Sequence, residues 1–223
     1  MLAAGSSSSP TPDRSIQVEA TALRIHEPLV EQLQRARTLG FLGPGPVEEH
    51  IDHAAGFLGA LTGVEGMVVD LGSGGGVPGL IIGVARPDLD LVLVDATARR
   101  CRFLDGAVAA LALRASVVEG RAEVVGRSSR RGAADAVVAR AFGGPGATAE
   151  CAAPLLRLGG LLLVSEPPEP APDRWVAGGL AKLGLTQGAR SAGFPLVQTL
   201  HQTSLCPFEF PRRDGLPSKR PLF

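Results

Sequence analysis

Tyrosine is absent from this 223-residue chain, tryptophan occurs once, and aromatic residues make up 4% of it. Platforms for stacking nucleic-acid bases are therefore few, and Phe142 is the one candidate. Of the three cysteines, Cys101, Cys151 and Cys206, none belongs to a CxxC pair. That argues against a zinc ribbon or a disulfide framework and reads as reduced thiols in a cytoplasmic protein. No apolar run is long enough to span a bilayer, and the opening MLAAGSSSSPTPDR has neither the basic start nor the apolar centre of a signal peptide. Charge of one sign is not in excess: Lys plus Arg and Asp plus Glu number 22 each. Without a global basic field, any RNA contact must come from a local patch. GxxxxGK[ST] does not occur, which excludes a Walker triphosphate loop. His26, His50, His53 and His201 form no zinc motif, so no metal is expected; His50 and His53, three apart on a predicted helix, read as packing or supporting residues.

What is present suits one globular domain with a single active site: 45% of residues are hydrophobic and 20% charged. Residues 1–14 read as a disordered leader, residues 15–63 as a helical N-terminal extension and residues 64–223 as the main domain. In the extension, Val18, Ala22, Leu23, Ile25, Leu29, Leu33 and Ala36 recur at helical spacing, with an interruption or bend near Pro28. After GFLGPGP, Pro46 can open a second helix whose apolar face carries Ile51, Ala54, Ala55, Leu58 and Leu61. The rhythm then changes to the short apolar runs GMVVDLG, DLVLVDA, ASVVEG, ADAVVARA and GGLLLVSE, separated by helix-like stretches such as TARRCRFLDGAVAALAL and GATAECAAPLLRL. Strands buried on both faces look like this, so the fold class is α/β, a Rossmann-like, doubly wound parallel sheet. EPPEPAPD reads as a surface loop, RWVAGGLAKLG as a helix, and PLVQTLHQTSLC as strand-like.

The stretch MVVDLGSGGGVPGL, residues 67–80, admits two parses. Gly74, Gly76 and Gly79 satisfy the GxGxxG dinucleotide fingerprint, with Asp95 roughly twenty residues on where a ribose-binding acid belongs. Alternatively, Asp70, Gly72, Gly74 and Gly76 form an acid followed by alternate glycines, which resembles the first motif of class I S-adenosylmethionine-dependent methyltransferases. An acid at the loop mouth repels a pyrophosphate and tolerates a ligand without phosphate. The bland reading makes Asp70 a turn residue and Asp95 a strand-end acid.

DLGSGGGVPGL, then ARPDLDLVLVD, ARRCRFL, EGRAEVV, VVARAF and the closing FPRRDGLPSKRPL occur in an order and spacing that resemble the RsmG (GidB) family. Those are bacterial methyltransferases acting on guanine N7 of small-subunit (16S) ribosomal RNA, and the likeness spans about the last two thirds of the chain. The resemblance implies S-adenosylmethionine as cofactor and small ribosomal subunit RNA as partner; no membrane partner is expected, and the sequence leaves the oligomeric state open. The resemblance places Gly72 and Val77 along the methionine and ribose of the cofactor, Asp95 at the ribose, and Ala122 and Glu123 beside the adenine; Asp70, Gly74 and Gly76 of the first methyltransferase motif are cofactor-binding as well, Asp70 through the loop or the methionine ammonium. Arg140 ends an apolar strand facing the reaction centre, as a cofactor-binding and catalytic residue. Arg212, Arg213, Lys219 and Arg220 are the implied RNA contacts; RSSRR, residues 127–131, is a further basic candidate. The chain departs from the family upstream, where LGFLGPGP replaces an asparagine-containing segment, and after the fifth strand, where SEPPEP replaces a lysine-glycine pair. Alternatives on the same core are methylation of another RNA or of a small molecule, and a silent S-adenosylmethionine-binding protein; a nucleotide-dependent oxidoreductase comes last.

Overall fold

The structure is a computed structural model that describes residues 21–192 and 195–223. The expected leader, residues 1–14, and Val18 lie outside the described residues. The first periodic segment is interrupted just before Pro28: residues 21–24 are helical, and a separate helix, α1 (Glu27–Thr38), begins with that proline in its first turn. The proline fits there because first-turn amides have no intrahelical acceptor, and His26 Nδ1 accepts the Leu29 amide at 3.2 Å. Pro46 is the N-cap of α2 (Val47–Ala60).

There follow β1 (Met67–Leu71), α3 (Gly79–Ala85), β2 (Asp90–Asp95), α4 (Ala98–Ala110), β3 (Ala115–Glu119), α5 (Ala122–Val125), β4 (Ala134–Ala139) and α6 (Pro145–Ala152). The chain continues through a 3-10 turn, Ala153–Leu155, into β5 (Leu156–Ser165), α7 (Ala177–Lys182), β6 (Leu185–Arg190), β7 (Val197–Gln202) and α8 (Leu216–Lys219). GATAECAAPLLRL is thus helical only in its first part. Pro154 closes that helix, and LRL already belongs to β5. LTQGAR, which carries no apolar alternation, is nonetheless the edge strand β6, with only Leu185 of its side chains buried.

The sheet order is β3-β2-β1-β4-β5-β7-β6. β1 to β5 run parallel, and β7 is antiparallel to both β5 and β6. Alternate strand residues face two cores. Val68, Leu93 and Val138 meet Leu29, Ile51, Leu80 and Leu104 on one side. Val69, Val92, Val137 and Leu162 meet Ala149, Leu180 and Trp175 on the other. Leu29, Leu33 and Ile51 are 0% exposed; each such burial contributes roughly 1.5–3 kcal/mol. The N-terminal helices are therefore built into the main core. Strand order reverses between β1 and β4, and in such sheets ligands bind outside the carboxyl ends of the strands at that crevice.

Candidate active site

Residues 72–79 leave β1 as a tight turn in which Gly72, Gly74 and Gly76 have φ of 78°, 56° and 88°. Those left-handed values favour glycine. The amides of the turn point mostly inward: Gly72 and Ser73 both donate to the Val94 carbonyl at 2.9 Å, Gly76 to the Ser73 carbonyl at 2.7 Å. Gly74 donates to Asp95 Oδ2 at 2.9 Å, and Gly79 to Asp70 Oδ2 at 3.1 Å. A pyrophosphate loop needs these N–H groups free for the anion. Here they are already bonded, so the turn suits a ligand held by shape and by carboxylates, without phosphate.

Asp95, ending β2, closes the turn from the side, its Oδ1 accepting the Thr97 amide at 2.8 Å while Oδ2 holds Gly74. A carboxylate has about four acceptor positions, so both oxygens keep capacity for ribose hydroxyls. Asp70 lies beneath, 1% exposed. Burial pushes its carboxyl up to about 7, against the opposing pull of the Gly79 amide and Arg140. It braces the turn from inside: a Cβ on Gly79 would sit 2.5 Å from Asp70 Oδ2. Over the turn lies the segment LGFLGPGP. A Cβ on Gly75 would fall 2.6 Å from Leu42 Cδ2 and 2.9 Å from the Phe41 carbonyl oxygen. The Phe41 ring meets Phe103 edge-on at 5.7 Å, with the Arg99 guanidinium 5.1 Å from its centroid.

Arg140 follows β4 and is half-buried. The next residue, Ala141, has φ 52°, a sparsely populated region for alanine of the kind found at functional sites. Arg140 Nη2 lies 2.8 Å from His50 Nδ1, across 90 residues of sequence. His50 and His53 thus stand at the site. Burial and Arg140 lower the pKa of His50 and push His53 down to about 4. Phe142 packs its ring over Gly72, where a Cβ would fall 2.7 Å from Cδ2. Among the described residues, no three His, Cys, Asp or Glu side chains gather as metal ligands, and no helix is long and apolar enough to cross a membrane.

Residues 47–167 match the family described as GidB, rRNA small subunit methyltransferase G. The ribosomal RNA small subunit methyltransferase G of Moorella thermoacetica is 36% identical over 168 residues, covering 70% of this chain and 69% of that one. That of Rubrobacter xylanophilus is 32% identical over 212 residues, covering 87% and 80%. The chain belongs to this family. S-adenosylmethionine is accordingly its cofactor. Among solved structures, cofactor-bound Rv0187 from MTB superposes with a TM-score of 0.60 at 16% identity, covering 88% of this chain and 100% of that one. The antibiotic-resistance methyltransferase Kmr gives 0.52 at 17% identity, covering 68% and 93%. At such identities the likeness speaks for the fold alone, which is the Rossmann-like fold of class I methyltransferases.

The closing segment also has a structural role. Arg212, its side chain 26% exposed, is already paired: it donates from Nε and Nη2 to Glu150, whose side chain is 0% exposed. Burying that carboxylate requires a paired cation, and Arg212 is the pair. Two arginines of RSSRR are likewise turned to the chain itself. Arg131 donates to the carbonyls of Cys206, Pro207 and Phe210 at 2.7, 2.8 and 2.7 Å. Arg127 reaches the carbonyls of Pro211 and Arg212 and pairs with Asp214. Glu123, in the first turn of α5 beside the buried Ala122, accepts the Gly215 amide on Oε1 at 2.7 Å. The closing segment is therefore strapped along α5 and α6, with Arg213, Lys219 and Arg220 exposed on it.

Proposed function

We propose that this protein transfers a methyl group from S-adenosylmethionine to N7 of a guanine in 16S ribosomal RNA. Membership of the small-subunit methyltransferase G family carries this reading, and the chemistry of the site agrees with it. When bound, the cofactor supplies a methyl group on a sulfonium, activated for displacement. The glycine turn at Gly72, Gly74, Gly76 and Val77, together with Asp95, holds its methionine and ribose, with Asp70 bracing the turn from behind. Ala122 and Glu123 border its adenine; Glu123 Oε1 already carries the Gly215 amide, leaving Oε2 for an adenine donor. Arg140 faces the acceptor base as the catalytic residue.

Guanine N7 carries an in-plane lone pair and no proton. The protein therefore needs no general base at this centre, and its contribution is alignment of two reactants and electrostatic preorganisation. His50 and His53, both with lowered pKa and neutral near pH 7, are suited to a site that moves no proton. Arg213, Lys219 and Arg220 contact RNA phosphates without reading sequence. The test is methyl transfer to two 16S transcripts, one ordinary and one with 7-deazaguanosine in place of guanosine. Transfer to the first and none to the second is expected; equal transfer to both places the methyl on another atom.

A further inference from the structure

Arg140 is held in an unusual way. A half-buried guanidinium is commonly neutralised by a carboxylate, yet its hydrogen-bond partner here is an imidazole nitrogen, His50 Nδ1, at 2.8 Å. A guanidinium has only donors, so His50 must accept through an unprotonated Nδ1. The other ring nitrogen, Nε2, faces the Gly43 carbonyl at 3.4 Å, an acceptor, and therefore carries the proton. These two contacts fix both the tautomer and the charge of His50. Paired to a neutral ring, Arg140 keeps its full positive charge. Its other N–H donors have no hydrogen-bond partner among the described residues and are not sealed from solvent, so they are open to an acceptor.

Resting on the reading of Arg140 as the residue that faces the acceptor base, we propose that His50 is its positioning residue: the Nδ1 lone pair fixes the guanidinium at the reaction centre, so that α2 completes the site. The charged surroundings leave this pair intact near neutral pH. Glu49 acts on His50 from its own helix, Arg37 from α1, and His53 stands three residues along α2. Asp70 attracts Arg140 from β1. Helix α3, GLIIGVA, packed against α2, carries no titratable side chain. β5 and β7 contribute Arg157 and His201, which the strand register places toward the opposite end of β4 from Arg140. Protonating Nδ1 replaces the acceptor by a second cation facing Arg140, so the pair breaks on acidification.

The test measures kcat, KM and pH profiles for methyl transfer by the wild type and by His50→Ala, His50→Asn and Asp70→Asn. Asn offers Oδ1 close to the place of Nδ1 and does not titrate. His50→Ala should lower kcat by about 100-fold, the scale of a displaced catalytic group, with S-adenosylmethionine affinity little changed. His50→Asn should restore most of kcat and lack the acid limb below the ordinary histidine range. Asp70→Asn should keep that limb, which assigns it to His50. Equal losses in His50→Ala and His50→Asn, or an acid limb unchanged in His50→Asn, would overturn the proposal.

A nitrogen-15 NMR titration of the His50 ring decides the pairing whether or not methyl is transferred. The expected result is the Nε2–H tautomer with a pKa below the ordinary value, rising toward it in Arg140→Met. A His50 pKa insensitive to Arg140→Met would contradict the pairing. Absence of methyl transfer by the wild type, with the NMR result as expected, would instead count against the functional reading.

Discussion

Arg212 clasps the buried Glu150 carboxylate: the Arg212 amide and Nε both donate to Oε1, at 2.9 and 2.8 Å, and Nη2 donates to Oε2 at 2.6 Å. Removing one partner leaves an uncompensated charge inside, which is costlier than the pair is worth. Arg212→Ala should destabilise the fold by about 3–5 kcal/mol in urea titrations, whereas the double change Arg212→Met with Glu150→Leu should cost much less. Equal losses in the two would mean that the clasp is not the origin of the effect.

Asp70 sets a pH dependence whose sign follows from its burial. Its carboxyl is pushed from 3.8 up to about 7 in the fold, so the folded state holds a proton that the unfolded chain has released between those values. This residue therefore lowers stability increasingly as pH rises through that window, and the cost is complete above it. Asp70→Asn, which can still accept the Gly79 amide, should raise Tm at about pH 8, with the gain shrinking to nothing near the ordinary carboxylate pKa. A gain independent of pH would remove the ionisation argument.

Asp95 accepts two amides at once, from Gly74 and Thr97. Asn has a single acceptor oxygen and cannot serve both, so one amide of the turn loses its partner at about 1–3 kcal/mol. Asp95→Asn should therefore weaken S-adenosylhomocysteine binding by roughly tenfold or more, the affinity equivalent of that loss, in calorimetry on protein that remains folded. Unchanged affinity would mean that the Gly74 contact does not shape the cofactor site.

How much of this was legible in the sequence depended on the range of the interaction. The strand that carries Asp70 next to its end, the glycine turn and the strand that ends in Asp95 follow a local code of apolar run, acid and glycine, and the sheet confirms their order. β6 escaped because LTQGAR is an edge strand with a largely solvated surface, so it lacks an apolar pattern. Arg127, Arg131 and Arg212 read as RNA-facing cations because a sequence displays charges without their partners; their acceptors include Asp214, Glu150 and six carbonyls, all but that of Gly126 far along the chain. His50 could be noticed three residues from His53, but nothing local joined it to Arg140. Leu42 was equally silent, since only the folded chain brings it onto Gly75.

The exposed cations of the closing segment separate RNA binding from cofactor binding. Replacing Arg213, Lys219 and Arg220 together by Gln should reduce RNA affinity and flatten its log–log salt dependence by about 2–3, near one unit per lost phosphate contact. S-adenosylmethionine affinity should stay the same, because the strap beneath is held by Arg212, Arg127, Arg131 and Glu123. An unchanged salt slope would place the RNA on another face.

The most direct measurement is transfer of labelled methyl from S-adenosylmethionine to small ribosomal subunits isolated from cells lacking this protein, followed by borohydride and aniline cleavage at N7-methylguanine. The expected result is saturable labelling with cleavage at a single guanine of 16S RNA, and none in subunits from cells that contain the protein. Label that enters no ribosomal RNA, or that enters RNA without creating an aniline-sensitive guanine, would contradict the assignment.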